Sequence, residues 1–466
     1  MKKTLHFFEE ITKIPRCSGS EKAISEYLVA FAKERKLSVH QDKSLNVIIK
    51  KPGSAGREEE APLILQGHMD MVCVSEPGLD FDFSKEAIPM YQEGDWIKAK
   101  GTTLGADNGI AVAMIMALLD DEKLSHPPLE VLVTTNEEVG LIGAGAIDGK
   151  LFKGRTLINL DSEEEGIFLS SCAGGVRDII SLPVEFKPNV KKKAFELSIH
   201  GLKGGHSGME IDKGRANAIK LMGRLLERLG STRLVSFEGG EKSNAIASRA
   251  RAVITTNEEI RGELENSLEI FRSEYASVDP GIMIDYREVA LPEEVMSQVS
   301  TEKVISLLYI IPHGVLGMSA DMPGLVETST NLGIVRTDEN RVVFESAHRS
   351  SVETQKTMVL RRFRKIALLA GGRSDSKNNY PGWKFEPESP IRELFLETYR
   401  ELNAVEAKVE AIHAGLECGI LQEKIGKMDM IALGPDMQGA HTPEEKVSIA
   451  SVDRVYSLLT KVLEKI

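Results

Sequence analysis

Cysteine is scarce in this chain, with four in 466 residues. Cys17, Cys73, Cys172 and Cys418 stand far apart, with no CxxC pair or zinc-finger spacing, which argues against a disulfide scaffold or a structural zinc ribbon. Basic charge is short as well. A formal net charge of −12 excludes nucleic acid and anionic membrane as the expected partners. The longest apolar run, IAVAMIMALL, is too short to span a bilayer. The opening MKKTLHFFEEITKIPRCSG has two lysines but no apolar core, because Glu9, Glu10 and Lys13 interrupt it, so no secretion signal is expected. A cytoplasmic globular protein is the expectation. Hydrophobic content of 42% and charged content of 27% are ordinary for that class. The length allows two or three domains.

Leu5, Phe8, Ile11 and Ile14 recur at spacings of three, which predicts an amphipathic helix ending near Pro15. Short strand-like runs then alternate with helical patterns: APLILQG, the buried helix IAVAMIMALLDD, LEVLVTT and RTLINL. Alternation of this kind predicts an α/β fold with a mixed sheet. LPVEFKPNVKKK and GGRSDSKNNYPGWKFEPESP are rich in breakers and mark two boundaries. The predicted organisation is a first domain in two parts, 1–188 and 385–466. It encloses an inserted α+β domain, 189–384, built of two related units.

The chemistry-bearing residues gather at predicted strand ends. His68 and Asp70 follow APLILQG, and their alternation points them to one side. Asp107 sits in a glycine-bounded turn before the buried helix, Glu137 and Glu138 end LEVLVTT, and Asp161 ends RTLINL. His441 lies in a loop after a late strand. Taken singly, Asp107 reads as a helix cap and Asp161 as a turn residue. Taken together they lie where open α/β sheets bind ligands. GLIGAGAID lacks the third glycine of a dinucleotide fingerprint, and two carboxylates before it would repel a pyrophosphate.

Imidazoles and carboxylates without thiolate suit zinc, cobalt or manganese in a hydrolytic site. Five such ligands exceed the needs of one ion that must also hold water, which points to two ions sharing a carboxylate. The glutamate pair then divides the work, one binding metal and one moving protons.

GHMDMV, LGADNGIAVA, TTNEEVGLIGA, NLDSEEEG, GGHSG and GAHTPEE occur in this order. Together they resemble the di-zinc metallopeptidase family of carboxypeptidases, aminoacylases and dipeptidases, most closely its aminoacyl-histidine (Xaa-His) dipeptidases. The resemblance implies that His68, Asp107, Glu138, Asp161 and His441 are metal ligands, with Asp107 bridging. It implies Glu137 as general base and acid, and Asp70 as the partner that orients His68. It also implies a cis peptide at Asp107–Asn108. The inserted domain resembles the family's lid, where His206 would stabilise an oxyanion. Asn244 and Arg349 would hold the substrate's carbonyl and carboxylate ends. His413 and Glu417, in IHAGLECGI, match a further motif beside the site, with packing or supporting roles open to both. Cys418 is expected to be buried rather than reactive.

The expected activity is metal-dependent hydrolysis of dipeptides, Xaa-His among them, with small peptides as the only expected partners. Asp161 resembles the dipeptidase and aminopeptidase pattern, which places carboxypeptidase and aminoacylase activities behind; a tripeptidase is the nearest enzyme alternative. A silent binding scaffold is disfavoured because every ligand and Glu137 are present. Monomer and homodimer both remain compatible with the sequence.

Overall fold

A computed structural model describes residues 2–466, and the chain divides into two compact units. The first runs to Cys172 and resumes at Trp383–Ala411 and Leu416–Ile466; the second is Ala173–Gly382 with Ile412–Gly415. The crossing points therefore fall at 172/173 and 382/383, not at the expected 188/189 and 384/385. Strand Gly174–Pro183, assigned from sequence to the first domain, pairs along its whole length with Arg341–Ser350 of the second unit.

The first unit is built on an eight-stranded sheet. Leu129–Thr134, Leu63–His68, Thr156–Asn159 and Asp429–Ala432 lie side by side and parallel at its centre. Every residue of Leu63–His68 and of Leu129–Thr134 is buried, as parallel strands covered on both faces must be. Ser38–Gln41, Val47–Lys51, Ile167–Cys172 and Lys408–Ile412 complete the sheet. Helix Ala106–Leu119 is buried everywhere except at Asp107, which explains an apolar run with no polar face. Helix Lys2–Ile11 buries Phe7, Phe8 and Ile11 in the same core.

A smaller sheet joins Met437–Gln438, Lys446–Ser448, Trp96–Ala99 and Met90–Glu93. Met437 pairs with Val447 and Gln438 with Lys446, so His441 sits in the loop of an antiparallel hairpin.

The second unit carries a nine-stranded sheet with helices Ala218–Arg228, Arg261–Glu274, Gln298–Ile310 and Glu353–Ala370. The two expected α+β parts join through Glu238 opposite Arg336 and Gly239 opposite Val335. Arg373–Tyr380, read from sequence as boundary, is an edge strand against Gly174–Pro183. Its mostly exposed polar residues hid it, because the edge gains backbone hydrogen bonds rather than buried side chains.

The cysteine expectation needs correction. Cys17 and Cys73 form a disulfide with Cα atoms 5.6 Å apart, and an isolated parallel bridge between Cys17 and Met71 brings the segments together. Pairing across 56 residues leaves no spacing signature. Cys172 and Cys418 are free and buried. Among the described residues no helix is long and apolar enough to cross a membrane.

Candidate active site

The strand ends of the first unit bring six of the sequence-selected residues together. His68 closes strand Leu63–His68 and is 1% exposed. Its ring lies between two groups of acids. Nδ1 is 3.1 Å from the Asp70 backbone oxygen and 3.4 Å from Asp70 Oδ1. Nε2 is 3.2 Å from Asp107 Oδ1 and 3.5 Å from Asp161 Oδ1. On the other side of Asp107, Oδ2 is 3.1 Å from His441 Nε2, which lies 2.8 Å from Glu138 Oε1.

The two oxygens of one aspartate thus face two separate imidazole–carboxylate pairs, His68 with Asp161 and His441 with Glu138. Local structure fixes this arrangement. The Asp107–Asn108 peptide is cis, as the resemblance implies. Asn108 is fully buried; its Oδ1 accepts from His68 N at 3.1 Å and its Nδ2 donates to the Leu160 carbonyl at 2.8 Å. Gly67 is required beside it, since a Cβ there would fall 2.5 Å from Asn108 Oδ1.

Asp70 supports the glutamate pair as well as His68. Its carboxylate accepts from Glu137 N at 3.0 Å, Glu138 N at 3.3 Å and Ser18 Oγ at 2.8 Å. The turn at the glutamates begins at Asn136 with φ of 51°, a left-handed conformation that asparagine tolerates. Two adjacent acids are therefore held by a third that accepts their backbone N–H groups.

Burial pushes the Glu137 carboxyl well above its ordinary value, and it raises Glu138 and Asp161 too. Burial opposes charge on His68, but Asp161, Asp107 and Asp70 outweigh it and hold the imidazole pKa well above normal. Hydrogen bonds to Asp107 and Glu138 raise His441 to about 11. Burial would raise Asp107, but the two imidazoles hold it below the usual carboxylate range. Without cations, the cluster draws protons onto its imidazoles to offset the carboxylates.

This donor set fits divalent cations. His68, Asp107 and Glu138 each offer a ligand atom within 4.8 Å of the others. Glu138 Oε1 is buried, and its one polar neighbour is His441 Nε2 at 2.8 Å. Among the described residues no lysine or arginine forms an ion pair with Asp70, Asp107, Glu138 or Asp161; their only ion-pair partners are the two histidines. Nitrogen and carboxylate oxygen without sulfur match zinc and its neighbours.

His206, Asn244 and Arg349 lie in the second unit, where they form a group of their own. Met209 N donates to His206 Nδ1 at 3.2 Å, so the neutral ring carries its proton on Nε2. Burial, then Arg349, lowers the His206 pKa, which keeps it neutral near pH 7. Arg349 Nη2 lies 3.4 Å from His206 Nε2. Arg349 is 8% exposed and its Nε has no partner. Asn244, Arg349 and Tyr380 line one cavity of about 220 Å³, with Tyr380 OH 3.2 Å from Arg349 Nη1. The sequence did not single out Tyr380; its place in an apparent boundary segment concealed it.

The motif IHAGLECGI is divided by the fold. His413 belongs to the second unit, with Nε2 2.7 Å from Ser329 Oγ. Glu417 belongs to the first and is completely buried beneath the strand ends. Its Oε2 accepts from Thr134 Oγ1 at 2.6 Å and from Gln66 Nε2.

The pattern of "Peptidase family M20/M25/M40" matches residues 64–465. The chain is 38% identical to the cytosol non-specific dipeptidase of Escherichia coli, over 98% of this chain and 96% of that protein. The structure resembles the aminoacylhistidine dipeptidase of Vibrio alginolyticus with a TM-score of 0.92 and 36% identity, covering 100% of this chain and 96% of the other. A tripeptidase from Staphylococcus aureus shares the fold at a TM-score of 0.57 and 16% identity, covering 100% and 98%.

Proposed function

From the membership of this chain in peptidase family M20/M25/M40, we propose that it is a two-metal dipeptidase acting on Xaa-His and other dipeptides. The observation that carries the metal reading is Asp107, whose two oxygens face His68 with Asp161 and His441 with Glu138. These five residues would hold two divalent ions, zinc first and cobalt or manganese as alternatives. When bound, such ions supply Lewis acidity that activates water and polarises a carbonyl.

The chain's own groups complete the chemistry. Glu137 takes the proton of the attacking water and returns it to the leaving amine. Burial raises the Glu137 pKa, which makes its carboxylate a stronger base than an exposed one. Asp70 orients His68 and anchors the backbone of both glutamates. His206 Nε2–H donates to the developing oxyanion, and Asn244 holds the substrate carbonyl. Arg349, buried without an acidic partner, receives the terminal carboxylate through its planar fork. The name of the Escherichia coli relative supports a cytoplasmic setting.

The test is hydrolysis by metal-stripped protein with zinc, cobalt or manganese restored. The panel holds β-alanyl-histidine, several α-dipeptides, a tripeptide and an N-acetyl amino acid. Metal-dependent cleavage confined to dipeptides is the expected result. Cleavage of the tripeptide or acetyl substrate alone would move the substrate class. No turnover from protein carrying two bound ions would overturn the enzymatic reading.

A further inference from the structure

The loop that presents Asp107 is gripped by two buried charges that play no part in the chemistry above. Glu445, four residues after His441, is 2% exposed. Its Oε2 accepts from Leu104 N and Gly105 N, both at 2.8 Å, and its Oε1 accepts from Asp107 N at 3.1 Å. Arg16, also 2% exposed, takes the carbonyl side of the same loop. Nη2 donates to Gly105 O at 2.5 Å, while Nη1 donates to Met69 O at 3.2 Å and Asp70 O at 3.4 Å.

The polarity is matched. Peptide N–H groups meet the carboxylate and peptide carbonyls meet both Nη atoms of the guanidinium, while Arg16 Nε is buried without a hydrogen-bond partner. Burial works against the charge on Arg16, and Glu445 is the strongest of the acids that oppose this, ahead of Asp70 and Asp107. The loop is shaped to admit the pair. Gly105 has φ of 72°, and a Cβ at Gly105 or Gly109 would collide with the Arg16 guanidinium.

These contacts connect three distant segments. Glu445 ties the hairpin of His441 to the loop of Asp107. Arg16 ties that loop to the turn of Asp70, the partner of His68. We propose that Arg16 and Glu445 are positioning residues of the two-metal centre, setting the place of the Asp107 carboxylate between His68 and His441. Neither touches substrate, and both act through the backbone of the bridging residue. The inference rests on the two-metal reading.

The experiment first counts divalent ions bound by the parent protein, by chelator competition. Failure of the parent to bind any ion would sink the functional reading itself, separately from this inference. With a binding parent, E445Q and R16K are compared with E444Q, which alters the exposed neighbour Glu444. E445Q turns a donor toward N–H groups, and R16K cannot span three carbonyls. Supporting groups of this kind change metal affinity by about 10–100-fold. The expected result is a loss of that size for at least one ion in E445Q. At saturating metal, kcat should fall with KM within about twofold. R16K should be intermediate, E445D should recover part of the loss, and E444Q should match the parent. If E445Q does not fold, R16K and E445D carry the comparison. Variants that are folded by circular dichroism, melt at lower temperature, but bind ions and turn over like the parent would overturn the proposal and leave the pair as structural fasteners.

Discussion

Replacing Asp70 by asparagine tests the support of the site without removing a ligand or the base. The carboxylate serves four neighbours: Ser18 Oγ, Glu137 N, Glu138 N and the His68 ring. An asparagine at this position keeps one oxygen, which would stay with Glu137 N at the 3.0 Å contact. Its nitrogen would turn to the Ser18 side, where a hydroxyl can accept. Glu138 N, now 3.3 Å from Oδ2, would lose its acceptor. His68 would keep the Asp70 backbone oxygen at 3.1 Å but lose the negative charge behind its ring. A hydrogen bond to a charged group contributes about 1.5–3 kcal/mol, and loss of one corresponds to roughly 10–100-fold. That agrees with the usual cost of losing a ligand's orienting partner. A surface contact would be worth within about 0.5 kcal/mol, or near twofold. The assay is metal affinity by chelator competition, with kcat/KM measured at saturating zinc. Affinity within about threefold of the parent would refute the assignment of Asp70 as an anchor of the centre.

The glutamate pair separates by role: Glu137→Gln should keep both ions and lose turnover by about 10²–10⁴-fold, while Glu138→Gln should weaken metal binding. Equal metal loss in the two variants would show the roles to be misassigned. Cys17→Ser opens a link spanning 56 residues, and the loop-entropy relation gives a loss of up to about 4 kcal/mol. Urea unfolding with and without a thiol reductant measures it; a parent insensitive to reductant, with all cysteines labelled after mild denaturation alone, would contradict the disulfide. Burial pushes the Glu417 carboxyl from 4.5 up to about 8. Its folded-state advantage is therefore complete below the unfolded value and is lost as pH rises toward about 8. In metal-free protein Glu417→Gln should gain on the parent between about pH 5 and pH 8, by on the order of 1.4 kcal/mol per pH unit. A stability difference that stays flat over that interval would contradict a protonated Glu417.

Much of the site was legible before any coordinates. His68, Asp107, Glu137, Glu138 and Asp161 each end a strand or open a buried helix, and local pattern marks such places directly. Buried parallel strands read as unbroken apolar runs, so a carboxylate at the end of one stands out. His441 was legible from its loop after a late strand and from the motif GAHTPEE. The hairpin that holds it depends on Lys446–Ser448 pairing with Trp96–Ala99, a contact between residues about 350 apart that no local period records.

What the sequence determined by itself was the chemical inventory: imidazole and carboxylate at strand ends, few thiols and an excess of negative charge. It also determined the alternation that makes a mixed sheet, because periodicity is a local property of the chain. Only the tertiary structure decided how the inventory is arranged. Asp107 faces two imidazoles because His441 returns from more than 300 residues away. Arg16 and Glu445 were not singled out in the sequence, and the fold buries both against one loop. Cys17 found Cys73, and the polar stretch Arg373–Tyr380 became an edge strand, through backbone pairing. Such contacts join residues distant in the chain, and their free energy comes from burial and hydrogen bonding that exist only after the segments meet.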